Sequence, residues 1–120
     1  MIGRDNFGTC DGIFEEHLNN IKNGNKVIEV RLNDEKRRKI RVGDTIRFIQ
    51  VPDGTKEIRA EVEELAVFPT FKEMYESVSA EEMGSRGETI EEMVNDTYEI
   101  YTPEQEKKYG SLAIRIKCLV

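Results

Sequence analysis

The segment from Gly24 to Phe48 constrains the fold most, because it combines dense charge with the alternation of a β-strand. Apolar and charged residues alternate over positions 28–32, which is the period-two pattern of a strand with one buried face. Glu29 and Arg31 then point to the same side of that strand. The turn signal Val42-Gly43-Asp44 follows and leads into a second strand. We therefore expect this segment to form the floor and rim of a polar cleft.

The same reasoning places the other elements along the chain. The predicted strands are 26–32, 44–51, 57–68 with a bulge near 63–64, and 111–119. Asp11 is predicted to cap a helix that ends at Asn23-Gly24. Four capping-box patterns, begun by Thr70, Ser79, Thr89 and Thr102, predict short helices before the last strand.

Strands come first, short helices follow and one strand closes the chain, which is typical of an α+β fold rather than of repeated βαβ units. A chain of 120 residues is long enough to bury a core without disulfides or metal. We therefore expect one domain over residues 1–120, a small, partly open β-barrel of about five or six strands with flanking short helices.

Composition excludes several classes of protein. No apolar run approaches the roughly 20 residues of a membrane span, and the N-terminus lacks the pattern of a signal peptide, so we expect a cytoplasmic protein without membrane association. The two cysteines, Cys10 and Cys118, and the one histidine, His17, lack zinc-site spacing, so we expect neither metal nor cofactor. Cys118 is predicted to be a buried, inert thiol.

The net charge of −6 is unevenly distributed. Residues 22–47 hold nine Lys or Arg and four Asp or Glu, whereas the rest of the chain is strongly acidic. An acidic protein does not coat duplex DNA nonspecifically, but a local basic rim attracts a phosphate or a short single strand. Arg37, Arg38 and Lys39 are the candidates for that rim, and a solvated charged loop is the alternative reading.

Lys26, Glu29 and Arg31 are the candidate site residues. A lysine beside a carboxylate in a part-buried cleft suits acid–base work, which makes Lys26 and Glu29 candidate catalytic residues. Arginine offers a planar fork for phosphate or carboxylate. Lys26 has the wrong strand parity for this group, but it lies at the strand entrance, where the pleat need not hold. A purely structural ion-pair cluster explains the same three residues.

Motifs of the common enzyme classes are missing: the sequence has no GxSxG, HExxH, Walker-type GKS/T or GxGxxG pattern. Gly24-Asn25-Lys26 enters a strand rather than a helix and is therefore no P-loop. His17 lies at the edge of an apolar helical stripe, so we expect a packed or surface histidine rather than a catalytic one.

The string from Ile21 to Asp34, IKNGNKVIEVRLND with its GxKxxExR core, and the later VGDTIRF together resemble the ASCH domain. The late Tyr109-Gly110 before the last strand also fits. ASCH domains are similar to the PUA fold, a small β-barrel with flanking helices. The resemblance implies a cleft lined by Lys26, Glu29 and Arg31 that binds RNA or a nucleotide-like ligand, with Tyr109 as a further candidate ligand-binding residue.

One branch of proteins similar to this family consists of small amidohydrolases that remove the acetyl group from N4-acetylcytidine. The lysine of that branch matches Lys26, but a threonine stands where this chain has Glu29, which puts the same reaction in doubt. The branch also uses a later glutamate, which does not align with any one of Glu81, Glu82 or Glu88 in particular, so the resemblance assigns no role to these three residues. Three functions thus stay open: binding of RNA or a modified nucleoside, amidohydrolysis of an acylated nucleoside, and protein interaction.

Overall fold

The computed structural model describes residues 10–119, which fold into a curled five-stranded sheet with four α-helices. The strands are β1 Cys10–Phe14, β2 Ile28–Leu32, β3 Thr45–Val51, β4 Glu57–Phe68 and β5 Ser111–Leu119. The α-helices are α1 Glu15–Lys22, α2 Phe71–Ser77, α3 Ile90–Thr97 and α4 Pro103–Tyr109, and a 3₁₀ turn spans Arg37–Lys39. This is the α+β fold expected from the order of the elements.

The sheet has the strand order β1-β3-β4-β5-β2. β1 pairs with β3 in parallel, and the other three pairings are antiparallel. β1 and β2 are therefore the two edge strands, and the curl of the sheet brings them to face each other. We call the gap between them the seam.

Apolar side chains fill both sides of the curled sheet. The inner cluster lies within the curl and includes Leu18, Ile46, Phe48, Val62 and Ile114. The outer cluster packs the helices against the sheet and includes Leu32, Phe71, Met74, Met83 and Met93. Because β2 is covered on both sides, its polar residues are also removed from solvent, and only 4% of Glu29 is exposed.

Two of the four predicted capping boxes form completely. The side chains of Thr89 and Thr102 accept from backbone N–H groups three residues on, and the residues there return the bond. Thr70 caps α2 from one side only, accepting from the N–H of Glu73. Ser79 accepts weakly from Glu82 at 3.4 Å, but residues 80–84 form turns, so the helix expected there is wrong.

The start of the described chain differs from the sequence-based expectation. Asp11 does not cap a helix: residues 10–14 form β1, and Phe14 stands at the N-cap position of α1. Asp11 is instead buried, with 2% exposed, and pairs with Lys36 and Arg37. The sequence gives no sign of this, since an inward-facing aspartate reads as polar and its partners lie about 25 residues away.

The long strand β4 has the predicted irregularity, a register shift against β5 between Val62 and Glu64. β2 begins at Ile28, two residues later than expected, and this leaves Lys26 outside the strand. Cys118 is only partly buried, so the prediction of a buried thiol is wrong in degree.

Candidate functional site

Backbone hydrogen bonds from two directions fix Lys26 at the entrance to β2. Its own N–H donates to the carbonyl of Asn20 in α1 at 2.9 Å. The next two N–H groups, of Val27 and Ile28, both donate to the carbonyl of Glu82, at 2.9 and 3.0 Å. Gly84, at a φ of +79°, lets this turn approach, since a Cβ there would lie 3.2 Å from Cδ of Lys26.

Three ionic side chains meet in front of β2, and we call them the ionic trio: Lys26, Glu29 and Arg31. The Lys26 Nζ lies 2.8 Å from Oε1 of Glu29, and the Arg31 Nε donates to Oε2 of Glu29 at 2.6 Å. Only 7%, 6% and 13% of the respective side chains are exposed. Glu29 and Arg31 share a face of β2, while Lys26 reaches them because the strand pleat has not yet begun.

The two cations dominate the electrostatics of Glu29. Burial alone would raise the pKa of this carboxyl, but the charges of Lys26 and Arg31, with their hydrogen bonds, lower it to about 2. Burial also acts on Arg31, but the carboxylates of Glu29 and Asp11 raise the pKa of its guanidinium. Glu29 and Arg31 are therefore ionised at neutral pH.

His17 joins the ionic trio from α1. Its Nδ1 lies 3.3 Å from Nζ of Lys26, so the imidazole is the acceptor of that hydrogen bond. Burial, and then the charge of Lys26, lower the pKa of His17 below its ordinary value. A neutral His17 thus faces a charged Lys26. The sequence suggested a packed or surface histidine, and the contact with Lys26 depends on the α1–β2 packing that no local pattern reveals.

A cavity of about 710 Å³ opens in front of the ionic trio. β1, α1 and β2 form one side of it, and α2, α3 and the residues up to Tyr101 form the other. This volume falls within the range of roughly 300–1,000 Å³ typical of small-molecule sites. All three members of the trio and His17 line the cavity.

Aromatic and apolar groups form the wall opposite the trio. The hydroxyl of Thr97 donates its proton to the carbonyl of Met93. The hydroxyl of Tyr75 is therefore the donor in its 2.6 Å hydrogen bond to Oγ1 of Thr97. Tyr101 stacks on Phe71 with ring centroids 5.7 Å apart and planes 7° apart. These contacts fix the two tyrosine rings, and both rings line the cavity.

The cavity mouth differs in character from its floor. Exposed carboxylates surround it: Glu16, Glu88, Asp96 and Glu99. Burial and the neighbouring Asp96 raise the pKa of Glu88 above its ordinary value. Two exposed apolar side chains, Phe14 and Ile100, complete the mouth.

Side chains rather than backbone bonds close the seam beside the cavity. The guanidinium of Arg31 in β2 donates to the carbonyl of Gly12 in β1 at 3.1 Å. From the other side, Lys36 and Arg37 reach Asp11 of β1 at 3.0 and 2.8 Å. Arg31 therefore serves the site and the closure of the barrel at once.

The remaining predicted ligand-binding residues, Arg37, Arg38, Lys39 and Tyr109, do not line this cavity. Arg37 pairs with Asp34 and Asp11 and is largely buried. The guanidinium of Arg38 donates to the carbonyl of Asn33 at 2.8 Å and lies 5.6 Å from the centre of the Tyr109 ring. These contacts hold the charged turn on the fold, and a role in ligand binding stays a prediction.

Sequence reasoning missed most of the cavity wall. Tyr75, Asp96 and Tyr101 come from helices and a loop that pack on the sheet far along the chain from β2. Of the three later glutamates, only Glu88 lines the cavity, because Glu82 pairs with Arg115 and Glu81 with Arg86. Tyr75, Asp96 and Tyr101 share a cavity with the trio only through tertiary packing, so no spacing rule in the sequence could have identified them.

Within residues 10–119, no group of three or more histidine, cysteine or acidic side chains is placed to hold a metal ion. The same residues contain no helix long and apolar enough to cross a membrane.

Several solved structures are similar to this chain. Hypothetical protein PH0355 is 39% identical, with 94% of this chain and 100% of that one aligned at a TM-score of 0.84. Protein PF0455 from Pyrococcus furiosus is also 39% identical, over 94% of this chain and 98% of that one, at a TM-score of 0.76. Comparison with curated proteins gives no match.

A mutant form of ZmASCH from Zymomonas mobilis shares the fold at a TM-score of 0.64, with 14% identity over 94% of this chain and 69% of that one. The ASCH domain profile matches residues 12–119, which include the ionic trio and the last strand. The chain therefore belongs to the ASCH domain family.

Proposed function

We propose that the cavity binds the base of a nucleoside, either free or exposed in a short RNA strand, through Lys26, Glu29 and Arg31. The observation that carries this proposal is the order of charges on the cavity floor. The carboxylate of Glu29 lies between the ammonium of Lys26 and the guanidinium of Arg31, within 2.8 and 2.6 Å of them. The floor thus presents donors and an acceptor next to each other.

This order suits a nucleobase better than it suits a phosphate. A base edge carries hydrogen-bond donors and acceptors side by side, whereas a phosphate carries only acceptors and would be repelled by Glu29. Lys26 uses two of its three protons on Glu29 and His17 within the described chain, which leaves one for a ligand. A carboxylate offers about four acceptor positions. On Glu29, Lys26 occupies one of them and Arg31 occupies two.

The aromatic wall supports the same proposal. Tyr75 and Tyr101 are held by their own contacts and line the cavity opposite the trio. Stacking of a base on an aromatic side chain contributes about 1–3 kcal/mol and tolerates any base. Base identity would then depend on the hydrogen bonds at the floor.

Thermal shifts with a panel of nucleosides, including N4-acetylcytidine, test the proposal, because a ligand that binds the folded state raises the melting temperature. We expect at least one nucleoside to raise it, and Lys26→Met to remove the response. Arg38→Ala is the matched control, since Arg38 is a cation of the same segment that does not line the cavity. No response to any nucleoside, or an unchanged response in Lys26→Met, would refute base binding at this floor.

The structural reading of the trio, with a protein-interaction role, makes a different prediction for Glu29→Gln. Under that reading the variant melts at a lower temperature, and its response to each nucleoside is the same as that of the wild type. Under our proposal the variant loses both stability and nucleoside response, since Glu29 orders both cations.

A second candidate, hydrolysis of an acylated nucleoside, is favoured by one observation. Glu88 lines the same cavity as Lys26, and its raised pKa makes it a better proton acceptor than Glu29, whose pKa is about 2. In such a reaction water adds to the amide carbonyl, which Lys26 polarises, and the C–N bond then breaks. Glu88 takes the proton from water and passes it to the leaving amine.

Incubation with N4-acetylcytidine, followed by measurement of released cytidine, distinguishes hydrolysis from binding alone. Release that is lost in Glu88→Gln and retained in Glu82→Gln would establish hydrolysis in this cavity. Glu82 is the matched control because it pairs with Arg115 and does not line the cavity. No release from N4-acetylcytidine would leave binding as the function.

A further inference from the structure

The charge of the cavity changes sign between its floor and its mouth. Among residues 10–119, five carboxylates line the cavity against two cations, and His17 is neutral at pH 7. The lining residues therefore carry a net charge of −3. Both cations are on the floor and already contact Glu29, so the other four carboxylates, which are exposed at the mouth, determine the potential there.

From this arrangement we infer that the carboxylates at the cavity mouth exclude phosphate, so that the cavity takes an unphosphorylated nucleoside in preference to a nucleotide or an RNA strand. The inference rests on the proposed function and narrows it to one class of ligand. A base seated on the trio directs its ribose toward the mouth. A phosphate on that ribose would then lie among the carboxylates of Glu16, Asp96 and Glu99.

The apolar part of the mouth agrees with this selectivity. Phe14 is 63% exposed and Ile100 is 70% exposed, and both line the mouth. They offer van der Waals contact to a neutral sugar and no hydrogen bond to a phosphate. Two basic residues of the predicted rim lie outside the cavity: Arg37 is engaged by Asp11 and Asp34, and Arg38 lies against Tyr109.

The test compares ligands that differ only in charge at the 5′ position. Calorimetry would measure the affinity of the wild-type protein for each of the four ribonucleosides and N4-acetylcytidine, and for their 5′-monophosphates. For the tightest nucleoside, the 5′-amino-5′-deoxy analogue would be added as a cation of similar shape. We expect each monophosphate to bind about five- to tenfold more weakly than its nucleoside at low salt, and the amine at least as tightly.

The dependence of monophosphate affinity on salt concentration is a second measurement, and the direction of the change distinguishes repulsion from attraction. Raising the NaCl concentration from about 20 to about 200 mM should strengthen monophosphate binding, because it screens repulsion. Attraction to phosphates would produce the opposite trend, as in RNA binding. A short single-stranded RNA measured in the same buffers should bind no more tightly than the monophosphate.

The double variant Glu16→Gln/Glu99→Gln should close most of the gap between a nucleoside and its monophosphate. Glu61→Gln is the control, because Glu61 is an exposed carboxylate of β4 that does not line the cavity, and it should leave the ratio unchanged. Monophosphate or RNA binding as tight as nucleoside binding in the wild type would overturn the inference and leave the proposed function standing. Absence of binding by every probe would overturn both.

Discussion

Glu29 is the residue on which the site depends, because it is the only anion in contact with both buried cations of the trio among the described residues. Removing its charge leaves Lys26 and Arg31 near each other in a region of low exposure. Leaving buried charges unpaired is costly, whereas an intact buried pair adds little net stability. The contribution of Glu29 to stability therefore lies mainly in preventing two unpaired buried cations, and less in the net strength of its ion pairs.

The pH dependence of stability should reveal this carboxylate. The pKa of Glu29 falls from an ordinary 4.5 to about 2 in the fold, so its ionised form stabilises the protein fully above about pH 4.5. That stabilisation, about 3 kcal/mol from the size of the shift, is lost as the pH falls from 4.5 toward 2. We expect urea denaturation to show Glu29→Gln less stable than the wild type by about this amount at pH 7, and by less than half of it at about pH 3.

Glu61→Gln serves as the control for that experiment, since Glu61 is exposed. Its difference from the wild type should be small at both pH values. A Glu29→Gln deficit that is the same at pH 7 and pH 3 would contradict the lowered pKa.

His17 provides a direct probe of the charge on Lys26, because it is the only histidine in the chain. Burial and Lys26 both lower its pKa, so its imidazole NMR signals should titrate with a midpoint below 6.5. Lys26→Met should raise the midpoint of His17. Lys22→Met should not, because Lys22 lies on the exposed face of α1, the helix that carries His17. A midpoint at or above 6.5 in the wild type would mean that His17 does not contact a charged Lys26.

At the scale of elements, the seam joins the two edge strands without backbone hydrogen bonds between them. Asp11 of β1 accepts from Lys36 and Arg37, and Arg31 of β2 donates to Gly12. One oxygen of Asp11 and the Nε of Arg37 are buried without a hydrogen-bond partner among the described residues. The approach of β1 to β2 across the seam thus depends on a few charged contacts, while the ladder with β3 holds β1 in the sheet.

We expect Asp11→Asn to lower the free energy of unfolding by about 1.5–3 kcal/mol, since the buried Arg37 loses a charged hydrogen bond and keeps Asp34 as its remaining carboxylate partner. Glu57→Gln removes the exposed pair with Arg47 and should cost about 1 kcal/mol or less. Chemical denaturation of the two variants measures the difference. Equal, small losses in both would show that the seam does not depend on Asp11.

For the molecule as a whole, local pattern predicted the elements that alternate or carry caps. Ile46 and Phe48 in β3, the register shift of β4 and the caps at Thr89 and Thr102 follow from neighbours a few residues apart. β1 has no such signal, because its inward residues are one aspartate and one isoleucine. Its place in the sheet comes from parallel pairing with β3, more than thirty residues later.

The candidate site divides in the same way. Lys26, Glu29 and Arg31 lie within six residues of one another, so their grouping could be read from strand parity and the strand entrance. His17, Tyr75 and Glu88 reach the same cavity only because helices pack against the sheet. The sequence likewise gave no sign of the acidic mouth, since its carboxylates are scattered from Glu16 in α1 to Glu99 just after α3.

The seam also bears on how the two edges of the sheet are covered. An open sheet exposes two edges whose unpaired N–H and C=O groups can recruit strands from other molecules. Here the free edges of β1 and β2 face each other, and long cationic side chains from Arg31, Lys36 and Arg37 lie across the opening. Loss of these cations would uncover both edges together and offer their unpaired N–H and C=O groups to the strands of neighbouring molecules.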